Sequence, residues 1–421
     1  MSPLRSSLPR TKSLLTRSVA VLAAAALALT GCGSGDGGGS GGKTKLSFFS
    51  WDGEKIMKPL IEDFEKKNPS IDVEFSHTPP VAEYIAALQT RIVSGTAADV
   101  FVIAAENKTN LIQGGSVKDL TGKPFMANTS KFNTATYSQD GKAYGMSVSS
   151  WSAGILYNKD ILDKAGVTEF PTKWDDFIAL CQKLKAAGVT PYLESVLGMP
   201  LTVAALVGHA NAAQGGDMDA QIFAGKKKFG DLWDGPLTTF NQLFTEGLVS
   251  KNAVGLKGEQ IVDEFANGRV AMIPAGPWDV AGLHEKAPKL NMVFAGVPTP
   301  DGKPFWGGAA SPGYAINAKT EHEKEAEAFL TYLGSKEGVA LFNKQTSAMT
   351  TTADFDPVID KVLEPNLQAL KEGNFYLPQI AWPRVQDALN TEAVAQLQLM
   401  VQGQAKPADV AAALDNRLAQ G

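Results

Sequence analysis

The sequence predicts an α/β fold in two lobes, on three observations. Strand-like and helix-like segments alternate along the chain. One apolar run, Asp99 to Ala105, is continuous, as expected of a strand buried on both faces of a parallel sheet. At 421 residues the chain exceeds what one ordinary hydrophobic core holds. With 44% apolar and 20% charged residues, the composition is that of a globular protein able to bury a sizeable core, which excludes disordered and fibrous classes.

The N-terminus stands apart. Arg5, Arg10, Lys12 and Arg17 precede an apolar run from Val19 to Leu29, with no acidic residue before Asp36, which is the pattern of a secretory signal over residues 1–31. The run is too short to span the ~30 Å hydrocarbon layer, and no later stretch reaches the ~20 apolar residues a spanning helix needs. The signal ends in Leu29, Thr30, Gly31 and Cys32, which resembles the bacterial lipobox, whose cysteine receives a diacylglyceryl group. Residues 32–44 then read as a lipidated Cys32 followed by a Gly/Ser tether, a composition that buries nothing and behaves as flexible coil. Several acyl chains on Cys32 would hold firmly where one gives only marginal binding. Loss of residues 1–31 removes four basic and no acidic residues from totals of 39 and 44, so the net charge moves from -5 to -9, a balance that excludes nucleic acid as a partner. With Cys32 lipidated, Cys181 is the remaining thiol, placed in a core helix, and no internal disulfide can form.

Three matches to catalytic patterns fall in the tether and lack the required context. Gly37 to Thr44 fits a phosphate loop, a G-x-G-x-x-G match begins at Gly33, and GGSGG imitates a serine elbow. A phosphate loop must follow a strand and open a helix so that backbone amides point at the anion, whereas here a strand follows. His77, His209, His284 and His322 lie far apart without paired ligand spacing, so no metal is expected. Nothing singles out the pair of carboxylates a glycoside hydrolase needs.

After the tether, Lys45 to Ser50 reads as a strand, Glu54 to Lys67 as a helix with Ile56, Leu60, Ile61 and Phe64 on one face, and Ile71 to Phe75 as a second strand. A helix over Ala82 to Val93 ends near Gly95, and the apolar third strand follows. Parallel sheets bind ligands at their strand ends. Thr172 is placed to cap a helix carrying Phe177, Leu180 and Leu184.

In the middle of the chain, Ile155, Leu156, Tyr157, Asn158, Leu162 and Lys164 reproduce the signature of family 1 extracellular solute-binding proteins, the maltose-binding-protein cluster, which the sequence resembles. One place departs, Ser147 standing where the family usually has Gly, Ala or Pro. Two further stretches are similar: Gly268 to Val280, an apolar strand ending in Gly-Pro-Trp, and Gly307 to Gly338, a return strand and helix. The resemblance extends over most of residues 46–400. It implies a periplasmic-binding-protein-like fold of two α/β lobes, each a mostly parallel sheet flanked by helices, hinged by crossing strands and closing on a solute held between them. The lobes are expected over 45–149 with 312–352, and over 150–311 with 353–421.

The resemblance further implies the extracytoplasmic component of an ABC importer, a binding protein and not an enzyme, with the membrane permease subunits as partners. It is expected to be monomeric and to work without a cofactor or metal, lipid-anchored on the extracytoplasmic face of the cell membrane. Trp51, Trp151, Trp278 and Trp306 fall at strand ends or crossings where that family's cleft lies, and Trp382 in its C-terminal cleft segment. Such a set suits a mono- or oligosaccharide, because a pyranose packs its C–H face on an aromatic ring while its hydroxyls need hydrogen bonds around the edge. A peptide, polyamine or phosphate-bearing solute would call for clustered arginines or carboxylates instead. Polar candidates are Asp52, Glu106, Asn107, Glu194 and Asp279. Gly307 and Gly308 are placed to let backbone amides approach the solute, or to make a tight turn. Tyr314 faces either cleft or core, while Trp174 and Trp233 are assigned to packing.

Overall fold

The computed structural model describes residues 42–420; the signal segment, Cys32 and most of the tether lie outside the described residues. The first strand, Thr44–Ser50, pairs in parallel with Ile71–His77 and with Val100–Ile103, and Gly313–Ile316 adds antiparallel to the latter. All four residues of Val100–Ile103 are buried, as a strand covered on both faces requires. The helix Glu54–Lys67 packs Met57, Leu60, Ile61 and Phe64 inward, while Ile56 sits half-buried at the edge of that face. The helix Val81–Ser94 stops at Gly95, which takes a left-handed φ of 73° and donates its N–H back to the last turn. A residue with a Cβ would be strained there.

The second sheet has seven strands. Its axis is Ser149–Asn158, which pairs antiparallel with Val270–Ala275, Met292–Ala295, Trp306–Ala310 and Met349–Thr350. Two edges pair in parallel: Thr190–Tyr192 with Val270–Ala275, and Phe375–Tyr376 with Trp306–Ala310. This sheet is therefore mixed, unlike the mostly parallel first one. The cause is the chain's direction: Ser149–Asn158 enters from the first lobe against its neighbours, so each lies antiparallel to it. The chain returns from this sheet to the first one at Ser311–Pro312, between Trp306–Ala310 and Gly313–Ile316.

Around the second sheet, the helices Trp174–Ala186, Leu201–Ala213, Gly230–Thr245 and Gln386–Gln402 form one core. Phe177, Leu180 and Leu184 point into it as the periodicity predicts, and Cys181 is wholly buried. Thr172 does not cap the first of these helices. Its carbonyl accepts the Thr299 N–H at 3.1 Å, and the helix begins at Trp174 after an extended Lys173. Trp174 and Trp233 are core residues, 2% and 0% exposed, and the Trp174 indole N–H donates to Gln242 Oε1 at 2.6 Å. Trp174→Ala is expected to cost roughly 3–5 kcal/mol of unfolding free energy in denaturant titrations, because it opens a cavity and strands the Gln242 carbonyl.

Candidate functional site

Three tryptophans meet where the two sheets face each other. Trp51 follows the last residue of the first strand, where the Asp52 N–H donates to Ser50 Oγ at 3.0 Å and turns the chain toward the first helix. Its indole stands edge-on to Tyr84, with ring centroids 5.3 Å apart. Tyr84 is itself fixed, its hydroxyl donating to the Val102 and Phe49 carbonyls at 2.6 and 3.2 Å. Trp151 projects from the axial strand of the second sheet and packs against the cores of both lobes. Trp278 follows the strand Val270–Ala275 in the first turn of the helix Pro277–Lys286. It makes an edge-to-face pair with Trp151 at 5.3 Å and 76°.

At 58% exposure Trp278 is the one tryptophan among the described residues left open to solvent, although its position is fixed. Asp279 Oδ2 accepts the Gly276 N–H at 3.0 Å and caps the helix start. Gly276 gives the ring its room, since a Cβ there would lie 2.7 Å from Cζ3 of the indole. Pro277 supplies the helical φ at the first position.

These groups line a cleft of about 460 Å³ together with Asp52, Ser149, Ser150 and Pro312. His284 Nε2 and Asp360 Oδ2, 2.8 Å apart, join its rim. A smaller cavity of about 210 Å³ adjoins it, sharing Trp278 and including Glu194 and Asp279. Glu194 is fully buried and accepts from the Thr202 hydroxyl at 2.7 Å, the Ser195 N–H at 3.0 Å and the Tyr192 hydroxyl at 3.1 Å. Burial outweighs these bonds and pushes its carboxyl up to about 7. Burial likewise lifts Asp52 to about 6 and raises Asp279. Two flat aromatic surfaces set nearly edge to face, with hydroxyls and carboxyls of raised pKa beside them, suit a neutral, hydroxyl-rich ligand better than an ion. No group of three or more His, Cys, Asp or Glu side chains positioned for a metal occurs among the described residues.

Of the residues singled out in the sequence, the structure brings Trp51, Asp52, Trp151 and Trp278 to the cleft, and Glu194 and Asp279 to the adjoining cavity. The others lie elsewhere. Trp382 is 0% exposed, stacked on Trp233 at 6.1 Å and edge-on to Phe229, so it offers no face to a ligand. Tyr314 is 1% exposed and packs beside Phe48. Gly307 and Gly308 serve packing and not ligand approach. A Cβ on Gly307 would stand 3.1 Å from Leu201 Cδ2, and one on Gly308 would stand 2.7 Å from the Trp151 carbonyl and 2.9 Å from Phe375. Asn107 is buried and its Oδ1 accepts the Ala104 N–H, which shapes the turn after the third strand. Its neighbour Glu106, whose carboxyl is raised by burial, lines neither cavity. Trp306 is 6% exposed and opens onto a different pocket.

Sequence reasoning missed Ser149, Ser150, Pro312 and the His284–Asp360 pair. Small polar residues beside Trp151 in a crossing strand were a usable signal for the serines. Asp360 carried none, because the segment from Thr351 to Asp360 has no periodic pattern.

Two α/β lobes joined by crossing strands, with an aromatic cleft between them, define a ligand-capturing protein. Consistent with that class, residues 50–340 match the family model described as bacterial extracellular solute-binding protein, and the chain belongs to that family. It is 28% identical to the multiple sugar-binding protein of Streptococcus mutans, over 69% of this chain and 71% of that protein. It is 26% identical to the maltodextrin-binding protein MdxE of Bacillus subtilis, over 71% and 73% respectively. Among solved structures, a family 1 extracellular solute-binding protein from Bifidobacterium longum subsp. infantis superposes with a TM-score of 0.80 at 32% identity, covering 90% of this chain and all of that one. The solute-binding protein RafE in complex with raffinose shares the fold, with a TM-score of 0.67, 22% identity and coverage of 89% and 100%.

The buried Glu194 carboxyl predicts a pH effect. Its pKa is higher in the folded than in the unfolded chain, so its stabilising contribution is complete below about pH 4.5 and is lost as pH rises through about 7. Glu194→Gln removes this dependence. Relative to the parent, the variant is expected to gain on the order of 2–3 kcal/mol between pH 4.5 and pH 8. Denaturant unfolding of both proteins at the two pH values measures it, and the difference cancels every other titrating group.

Proposed function

We propose that the protein captures a mono- or oligosaccharide in the Trp51, Trp151 and Trp278 cleft and hands it to the membrane permease subunits of an ABC importer. It acts as a binding protein and not as a catalyst. The single observation that carries this reading is the edge-to-face Trp151–Trp278 pair, with Trp278 held exposed by the Gly276 and Asp279 cap. Exposing an indole on a rigid helix start has a cost that only a ligand face repays. The sugar-binding names of two relatives, in Streptococcus mutans and Bacillus subtilis, support the solute class.

In this reading residues 45–149 with 312–352, and 150–311 with 353–421, are the lobes that close on the sugar. A ligand touching Trp51 on one side and Trp278 on the other favours the closed state by the contacts it gains only there. Cys32 carries the lipid that holds the protein, as a monomer, on the extracytoplasmic face of the membrane. The Gly/Ser tether lets the body reach the permease.

Trp278→Ala is expected to abolish measurable capture in calorimetry against a panel of saccharides, while the melting temperature stays close to that of the parent, since the indole is mostly exposed. A bound disaccharide at roughly 0.3–0.4 kcal/mol per heavy atom gives a parent dissociation constant near ~1 μM. No saccharide binding tighter than millimolar in the parent would sink the sugar assignment. Separately, Cys32→Ala is expected to give a folded, exported protein released from membranes, read by fractionation after a high-salt wash. Retention with the membrane would refute the anchor.

A further inference from the structure

One carboxyl in the cleft is wholly without a partner. The ionisable side chains that line the cleft and its side cavity are Asp52, His284 and Asp360 in the first and Glu194 and Asp279 in the second, with no Lys or Arg in either lining. Asp360 is engaged at both oxygens, by His284 Nε2 at 2.8 Å and by the Val362 N–H at 2.9 Å. Glu194 accepts from three donors, and Asp279 gives one oxygen to the Gly276 N–H. Asp52 differs. Among the described residues its backbone N–H is bonded to Ser50 Oγ, but its carboxylate makes no hydrogen bond or ion pair. Its oxygens are not enclosed by protein, and the residue lines the cleft.

Asp99, next to the third strand of the same sheet, shows how a carboxylate with a structural role is held there. It accepts from the Ser47 N–H at 2.9 Å, the Ser47 hydroxyl at 2.6 Å and the Thr320 hydroxyl at 2.6 Å. Asp52 receives no such donors, and burial alone lifts its carboxyl, with no cation close enough to pull it back. A carboxylate drawn partly out of water costs free energy until donors reach it, so they have to come from the ligand. A sugar ring lying on an indole keeps its hydroxyls at the ring edge, where they can donate to a carboxylate beside Trp51. A ligand carboxylate or phosphate offers that group no proton and meets a like charge, and no Lys or Arg in the lining offsets the repulsion. His284 does not cancel it either, because its Nε2 is paired with Asp360. Asp279, with one oxygen unused, adds to the same negative field beside Trp278.

We propose that Asp52 is a specificity-determining residue of the cleft: its carboxylate accepts hydroxyls of the captured saccharide and turns away saccharides that carry a carboxylate or phosphate group. The proposal rests on the reading of the cleft as a saccharide site and goes further, because it divides saccharides by charge at one named side chain.

The test uses matched saccharides that differ only in whether a hydroxymethyl group is oxidised to a carboxylate: maltose against maltouronic acid, cellobiose against cellobiouronic acid, and raffinose against its counterpart oxidised at the galactose. They are titrated by calorimetry at about pH 8, where Asp52 is ionised. For a pair whose neutral member binds the parent, the acidic member is expected to bind at least about 10-fold more weakly. In Asp52→Asn the neutral member weakens by about 10-fold, since an amide is a poorer acceptor than a carboxylate, and the acidic member binds more tightly than in the parent. A misfolded variant cannot produce that gain. Asp176→Asn makes the same change of charge at an exposed position in the first turn of the helix Trp174–Ala186 and is expected to leave both members as they are in the parent. An acidic member that binds the parent as tightly as its neutral partner would overturn the proposal and leave saccharide capture standing, as would an acidic member that does not tighten in Asp52→Asn. Equal tightening in Asp176→Asn would assign the effect to net charge and remove Asp52 from it. Failure of every neutral member to bind the parent would instead remove the saccharide reading, and the proposal with it.

Discussion

The hydrogen-bonding of one ten-residue strand, Ser149–Asn158, is the constraint on which the rest depends. Four segments from distant parts of the chain pair with it: residues 270–275 and 292–295 along its second half, 306–310 and 349–350 along its first. Buried backbone groups must be paired, so these registers are fixed together and not one at a time. Trp151 stands opposite Ala309 in this ladder, and Gly154 opposite Ala275, the last residue before the Gly-Pro-Trp turn. The distance between the Trp151 and Trp278 rings is therefore set by the ladder, before any ligand arrives. A one-residue slip of the strand would send Trp151 to the other face of the sheet.

The seven tryptophans show how the same side chain is put to different uses by its surroundings. Trp174, Trp233 and Trp382 are wholly enclosed and give their area to the core of the second lobe. Trp51 and Trp151 are half-buried, each held on one side by packing and free on the other. Trp278 is held by a helix cap and by the edge-to-face contact with Trp151 alone, which leaves most of it open. Trp306 is nearly enclosed, with glycines at two of its edges, and lines a groove separate from the cleft.

Electrostatics follow the same division. Most ion pairs lie on the surface, where each contributes little. The charges that matter are single carboxyls taken out of water without a cationic partner: Asp52, Glu194 and Asp219, lifted to about 6, 7 and 6 by burial. Asp52 and Glu194 sit at the cleft and its side cavity. A carboxyl near neutrality both donates and accepts, which is what a ring of hydroxyls requires of its surroundings.

Several features were legible in the sequence because they depend on neighbours along the chain. The helix Glu54–Lys67, the buried strand after Asp99, the stop at Gly95 and the core face of Trp174–Ala186 each follow from local periodicity and turn chemistry. So did the family, through the run from Ile155 to Lys164, and the place of Trp278 at the end of an apolar strand. The mixed second sheet, the burial of Trp382 and Tyr314, the packing role of Gly307 and Gly308, and the removal of Trp306 to a separate groove were decided by tertiary structure alone. Each depends on which distant segment covers a side chain: Trp233 over Trp382, Leu201 over Gly307, Phe375 over Gly308. Periodicity reports that a residue is covered or open on its own helix or strand, but the element that comes to cover it is chosen by the packing of the whole chain.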